Sequence, residues 1–148
     1  MKKYLDVISL GCSVLLNALL FAFMALPGLI GVAGEKYSVY SCLGGDTFYS
    51  DGICGGLLVA LILLILALCA GLFLCALIFL NKKLGFTMLI ALGAGLFLLI
   101  AGILFFCTSS FIGYGSLGAG SVLSGIFAIL AGLGYVFYGA LKGKLIKL

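Results

Sequence analysis

The chain has 148 residues, of which 66% are hydrophobic and 8% are charged, with a net charge of +4 and no His, Arg, Trp or Gln. A soluble domain could not cover its surface with so few charged side chains, whereas a protein embedded in lipid needs few. Most hydrolase and transferase chemistry is disfavoured, because no His is present and every acidic residue lies in a loop or near an interface, so a general base is missing.

Four apolar runs follow one another along the chain, and each is longer than the roughly 20 residues that cross a bilayer. They cover residues 7–32, 57–80, 84–106 and 117–141, joined by an outer loop at 33–56, an inner turn at 81–83 and an outer turn at 107–116. The sequence predicts an all-α integral membrane protein of one domain, residues 1–148. Its spans should form an antiparallel four-transmembrane-helix bundle.

The lysines lie at the ends of these runs, which is typical of an orientation signal and not of a nucleic-acid surface. With four spans, one side of the membrane receives Lys2, Lys3, Lys82, Lys83, Lys142, Lys144 and Lys147, and the other receives Glu35, Asp46 and Asp51 with only Lys36. The positive-inside rule predicts a multi-pass protein of the cell membrane with both termini in the cytoplasm. By the same topology, Tyr135 should lie near the inner interface.

The first run carries an unusual polar face. Ser9, Ser13 and Asn17 are spaced four residues apart and stack on one side of a helix. We expect Asn17 to form interhelical hydrogen bonds, for example to Ser121, Ser124 or a backbone carbonyl, because bare polar groups are costly in hydrocarbon. The alternative is a polar lining for the path of a small solute.

Another face of the same run consists of small residues at intervals of seven, namely Gly11, Ala18 and Ala25. Ser9 to Cys12 resembles the processing site of bacterial lipoproteins, but the apolar residues continue well beyond Cys12, so a retained span is predicted. Pro27 falls in the last two turns, where it favours a kink or an early helix end.

The outer loop contains two cysteines, Cys42 and Cys54, around Gly and Asp turn signals. In an oxidising space we expect them to form a structural disulfide that stabilises the loop by roughly 3 kcal/mol. We expect recognition outside the membrane to use Asp46, Phe48, Tyr49 and Asp51. These two carboxylates lack an EF-hand pattern, so no metal site and no cofactor are predicted.

The other four cysteines, Cys12, Cys69, Cys75 and Cys107, have no assigned role. Buried cysteines are usually small apolar fillers, although acylation of Cys12 or Cys75 near the inner face is an alternative. An enzyme would have to use cysteines, as quinone-linked thiol oxidoreductases do. The closely spaced C-x-x-C pair on which those enzymes depend is absent, which disfavours a quinone-linked thiol oxidoreductase.

The fourth run has glycine at every seventh position, which places small residues on one seam of a helix. The predicted packing seam comprises Gly118, Ser121, Gly125, Ala128, Gly132 and Gly139. In lipid, small residues hold helices together by letting their backbones approach closely. Small residues also recur at every seventh position in the first and third runs, which favours a left-handed bundle.

The layout resembles that of claudin-type four-span proteins, with cytoplasmic termini, the Cys42 and Cys54 pair in a first outer loop, a short inner turn and a smaller second outer loop. The Gly-Leu-Trp signature of that family is absent, since the chain has no Trp, and the loop is too short for the family's outer sheet. The resemblance therefore implies topology alone. No functional residue is carried over.

These observations favour a non-enzymatic protein that acts by contact. We expect an accessory or scaffolding subunit of a membrane complex, or a self-assembling structural protein, whose partners are the lipid bilayer and another membrane protein or a second copy of itself. The alternative is a homo-oligomeric pore or small-solute transporter, because glycine-lined helices can enclose a passage without charges.

Overall fold

A computed structural model describes residues 4–30, 34–44, 55–82, 85–107 and 116–143. Four helices are long and apolar enough to cross a membrane: α1 Leu5–Phe23, α3 Gly55–Phe79, α4 Thr87–Phe106 and α5 Ala119–Lys142. The short elements are β1 Pro27–Ile30, β2 Lys36–Ser38, α2 Val39–Gly44 and β3 Ser116–Leu117. The prediction of a largely helical, multi-pass membrane bundle is confirmed.

The four long helices pack in a ring, with contacts between α1 and α3, α3 and α4, α4 and α5, and α5 and α1. The core between them is made of fully buried side chains such as Leu10, Leu64, Leu98 and Phe105. Helix α5 has the most buried residues of the four, and α1 has the fewest. Helix α5 is therefore the centre of the packing, and α1 is the most peripheral span.

Helix α3 ends at a residue with a left-handed backbone conformation. Asn81 adopts a left-handed backbone conformation with φ of 52°. The amide of Lys82 donates to the carbonyl of Leu77 over 3.0 Å, and the amide of Asn81 donates to that of Ile78 over 3.1 Å. These two bonds are those of a Schellman motif, which satisfies the last carbonyls of α3. The third span begins at Thr87, three residues later than predicted.

The first span differs from the prediction, because α1 ends at Phe23 and not near residue 32. Pro27 has no amide hydrogen for a helix, and it disfavours helical geometry in the residue before it. The chain instead enters strand β1, which pairs antiparallel with β2 and with β3 in the order β2-β1-β3. The membrane-spanning part is thus helical as predicted, but a small three-stranded sheet that was not predicted lies at this end of the bundle, and the predicted loop at 33–56 contains β2 and α2.

Candidate functional site

Helices α4 and α5 approach each other through glycines on both partners. A Cβ built on Gly102 would lie 3.0 Å from the carbonyl oxygen of Gly125, and one built on Gly132 would lie 2.9 Å from that of Gly95. Nearer the end of α5, a Cβ on Gly139 would lie 3.2 Å from the side chain of Ala91. All six predicted seam residues are buried: Gly118, Ser121, Gly125, Ala128, Gly132 and Gly139. The seam of α5 is thus occupied within the chain itself.

Helices α1 and α5 meet through serine and glycine. The Ser9 hydroxyl donates to the carbonyl of Gly134 over 3.0 Å, and the Ser13 hydroxyl donates to the carbonyl of Ser9 over 2.8 Å. A Cβ on Gly134 would collide with the Ser13 hydroxyl. The polar face of α1 is therefore turned inward against α5, and away from lipid.

Asn17 extends this polar face to a junction of α1, α3 and α5. Its side chain is fully buried beside the Tyr135 hydroxyl. That hydroxyl also lies against the backbone of Gly71 in α3, where a Cβ would collide with it. Tyr135 is therefore buried between helices, whereas we expected it near the inner interface.

The buried polar groups at this depth are incompletely paired. The amide nitrogen and oxygen of Asn17, the hydroxyl of Tyr135 and the hydroxyl of Ser124 have no hydrogen-bond partner among the described residues. The expected bonds from Asn17 to Ser121, Ser124 or a backbone carbonyl are therefore not formed in the described structure. Unpaired polar groups are unfavourable in hydrocarbon, so this junction needs a physical explanation.

An ion pair joins α1 and α5 at the end of the bundle where α1 begins and α5 ends. The Lys142 ammonium lies 2.8 Å from a carboxylate oxygen of Asp6 and 5.8 Å from the centre of the Tyr138 ring. The lysine is partly exposed, and such pairs stabilise proteins only weakly. The contact nevertheless places the start of α1 beside the end of α5, as an antiparallel pair requires.

At the opposite end of the bundle, the chain after α1 is held close to the start of α5. The Gly118 amide donates to the carbonyl of Gly28 over 3.0 Å. A Cβ on Gly118 would collide with the carbonyl of Pro27, and one on Gly120 would collide with that of Leu26. These two glycines therefore allow β1 to lie directly on the first turn of α5.

Helix α2 is docked against the end of α1. The Tyr40 hydroxyl donates to the carbonyl of Phe21 over 2.6 Å, and the Val39 amide donates to that of Met24 over 3.0 Å. Val39 and Met24 are both fully buried. Two of the last carbonyls around the end of α1 are thereby satisfied by a segment that lies outside the span.

Several small residues of the first span are exposed, whereas the seam residues of α4 and α5 are buried. Gly11, Ala18 and Ala25 are exposed, and a Cβ built on Gly11 would meet no atom within 4 Å. We call Gly11, Ala18 and Ala22 of α1, together with Ala25 in the turn that follows the helix, the α1 small face, since all four are exposed. No neighbour within the described chain covers this face.

Several predicted outer-loop sites fall where the structure gives no description. Asp46, Phe48, Tyr49, Asp51, Cys54 and the side chain of Cys42 lie outside the described residues. No two described cysteines lie at disulfide distance, so the Cys42–Cys54 bond has no structural support and stays a prediction. Among described residues, no group of three or more His, Cys, Asp and Glu side chains could hold a metal ion.

The remaining cysteines are scattered over the bundle. Cys12 on α1 and Cys69 on α3 are exposed, whereas Cys75 and Cys107 are half-buried.

Comparisons with family models, curated proteins and solved structures find no match. A functional hypothesis therefore depends on which surfaces the bundle uses internally and which it leaves open.

Proposed function

We propose that the protein is a non-enzymatic interaction subunit, which presents the α1 small face to a transmembrane helix of another membrane protein or of a second copy. The observation that supports this proposal is a difference in burial between the small residues of α4 and α5 and those of the α1 small face. The glycines of α4 and α5 are buried against each other, but Gly11, Ala18 and Ala25 are exposed. Small residues gain packing only when a backbone comes close.

Helix α1 is suited to a contact with another protein because it contributes the fewest buried residues to packing within the bundle. Its buried side chains are only Leu10, Ser13, Asn17 and Leu20, all on the side that faces α3 and α5. No described residue covers its opposite side along the span. A partner helix could therefore pack on α1 without disturbing the bundle.

The pore alternative is less well supported by the exposed residues. A ring of copies would line a passage with residues from the outer faces of the spans. On those faces the exposed large side chains are Leu, Ile, Val and Phe, and the polar Ser9, Ser13 and Asn17 point inward. A water-filled path lined by the described residues would be almost entirely apolar.

The proposal includes the orientation and the outer loop. The chain is inserted in the cell membrane with both termini in the cytoplasm. The positive-inside rule supports this orientation, since Lys82 and Lys142 lie at the same end of the bundle. The outer loop, closed by a Cys42–Cys54 disulfide, adds a contact outside through Asp46, Phe48, Tyr49 and Asp51. Docking of Tyr40 and Val39 onto α1 supports it, because that contact fixes the base of the loop.

The test is to extract the protein from its native membrane in mild detergent and to measure the mass of its complex. The variant with Gly11→Leu and Ala18→Leu fills the α1 small face, and Ala76→Leu, at an exposed alanine of α3, is the matched control. We expect the α1 variant to lose the partner or second copy and the control to keep it. Both should unfold like the wild type, since neither touches the core.

Two outcomes would overturn the proposal. One is a wild-type protein that leaves its native membrane as a single chain bound only to lipid. The other is a complex whose mass is the same in the α1 variant, the control and the wild type. A ring of identical chains that persists in the α1 variant would instead favour the pore.

A further inference from the structure

We infer that Asn17 and Tyr135 form a buried binding site for a neutral hydrogen-bonding molecule of the size of water, at the junction of α1, α3 and α5. Both side chains are fully buried. The three polar atoms they contribute have no partner among the described residues. The inference is independent of the proposed contact through α1, because it concerns the opposite side of that helix.

The hydrogen-bonding capacity of the two side chains requires a third participant. An asparagine amide offers two donors and two acceptor lone pairs, and a tyrosine hydroxyl offers one donor and an acceptor. A direct bond between them would satisfy either the nitrogen or the oxygen of Asn17 and leave the other bare. A water molecule both donates and accepts, and buried waters typically make about three hydrogen bonds to such groups.

The neighbours of the junction cannot supply that participant. The Ser13 hydroxyl, one turn from Asn17, already donates to the carbonyl of Ser9. On the α3 side Gly71, which has no side chain, lies directly under the Tyr135 hydroxyl, and Cys75 of the same helix offers only a thiol, which is a weak hydrogen-bonding group. On the α1 side Val14 contributes only methyl groups at that point. These neighbours therefore leave the polar atoms of Asn17 and Tyr135 without a hydrogen-bond partner among the described residues.

The same chemistry defines which ligand fits. No carboxylate or ammonium of the described residues contacts the site, so an ion would find no countercharge in a medium of low dielectric constant. Asn17 and Tyr135 offer both donors and acceptors, which suits a neutral molecule that also has both. The Tyr135 hydroxyl lies in close contact with Gly71, which disfavours a large ligand at this point, and water is the molecule that we propose.

The test is X-ray radiolytic labelling of the full chain in lipid nanodiscs, read by mass spectrometry. Hydroxyl radicals formed from a bound water add oxygen to the adjacent aromatic ring, whereas a dry buried ring is protected. We expect Tyr135 to be labelled several-fold faster than Phe105, which is equally buried in α4. Tyr40 is exposed and serves as the reference for full labelling.

A variant identifies the site as the source of the label. Asn17→Leu removes both polar amide atoms but keeps the number and branching of the side-chain heavy atoms, and it should reduce labelling of Tyr135 several-fold while leaving Phe105 unchanged. Ser13→Ala is the matched control, because its hydroxyl is already paired within α1, and it should leave labelling of Tyr135 near the wild-type rate.

The inference is overturned if Tyr135 in the wild type is labelled no faster than Phe105. It is also overturned if Asn17→Leu and Ser13→Ala leave the same label on Tyr135. The first comparison needs no variant, so the result stands even if Asn17→Leu does not fold.

Discussion

The backbones of Gly95 and Gly132 lie against each other where α4 crosses α5. A Cβ built on Gly95 would lie 2.8 Å from the carbonyl oxygen of Gly132, and one built on Gly132 would lie 2.9 Å from that of Gly95. Neither position has room for a side chain unless the helices separate. The close approach of α4 and α5 at this crossing therefore depends on a pair of glycines, one from each helix.

The first prediction concerns this contact. Gly132→Leu and Gly125→Leu should each lower the free energy of unfolding by about 1–3 kcal/mol, because an added side chain forces α5 away from α4. The control is Gly93→Leu on α4, where a Cβ meets no atom within 4 Å. Denaturant titration in detergent measures the difference. The account of the seam is wrong if all three variants unfold together with the wild type.

The second prediction concerns Gly71 and Tyr135. Gly71→Ala should destabilise the protein by about 1–3 kcal/mol, because the new methyl group occupies the place of the Tyr135 hydroxyl. Tyr135→Phe in the same chain should restore part of the loss, since it removes the atom in conflict. Gly55→Ala, with open space at its Cβ, is the control. Additive effects of the Gly71 and Tyr135 substitutions would show that the two residues do not meet.

The third prediction concerns the ion pair between Asp6 and Lys142. A double-mutant cycle with Asp6→Asn and Lys142→Met should give a coupling free energy of about 0.2–1 kcal/mol, a range that includes screening of the partly exposed lysine. The coupling should decrease as salt is added. A coupling of zero at low salt would mean that α1 and α5 are not held together at this end by charge.

The fourth prediction concerns Tyr40, which lies outside the spans. Tyr40→Phe should cost about 1 kcal/mol of stability, because the carbonyl of Phe21 loses its donor. Burial raises the pKa of Tyr40 above its ordinary value of about 10. This stabilising contribution is therefore complete below the ordinary pKa and is lost as the pH rises through the raised one.

The measurement for Tyr40 is the difference in unfolding free energy between the wild type and Tyr40→Phe over a series of alkaline pH values. The other tyrosines titrate in both proteins, so their effect cancels in this difference. The difference should shrink at high pH. A difference that is constant, or absent from the start, would contradict the bond to Phe21.

The number of spans follows from the sequence because hydropathy and helix length are local properties. The end of α1 does not, since the apolar run continues from Phe23 through Val32 with no polar residue to mark the change. Pro27 indicated an early end, but not a strand. Strand β1 forms because it finds β2 nearby and β3 far along the chain, and such distant pairing has no local signal.

The inward contacts of the polar face were only partly predictable. The spacing of Ser9, Ser13 and Asn17 places them on one side of a helix, but it does not say which neighbour they meet. Tyr135 was expected near the interface because tyrosine is common there. Its buried position depends on Gly71 of α3. The sequence contains many glycines, and nothing in it indicates which of them would contact Tyr135. Only the three-dimensional packing distinguishes that one.

The most direct test of the central claim, that α1 contacts a protein within the membrane, is photo-crosslinking in intact membranes. A benzophenone amino acid is placed at Ala18 on the α1 small face or, as the control, at Ala76 on the exposed side of α3. The account predicts a protein adduct of defined mass from position 18, and only lipid adducts from position 76. Lipid adducts alone at both positions would contradict it.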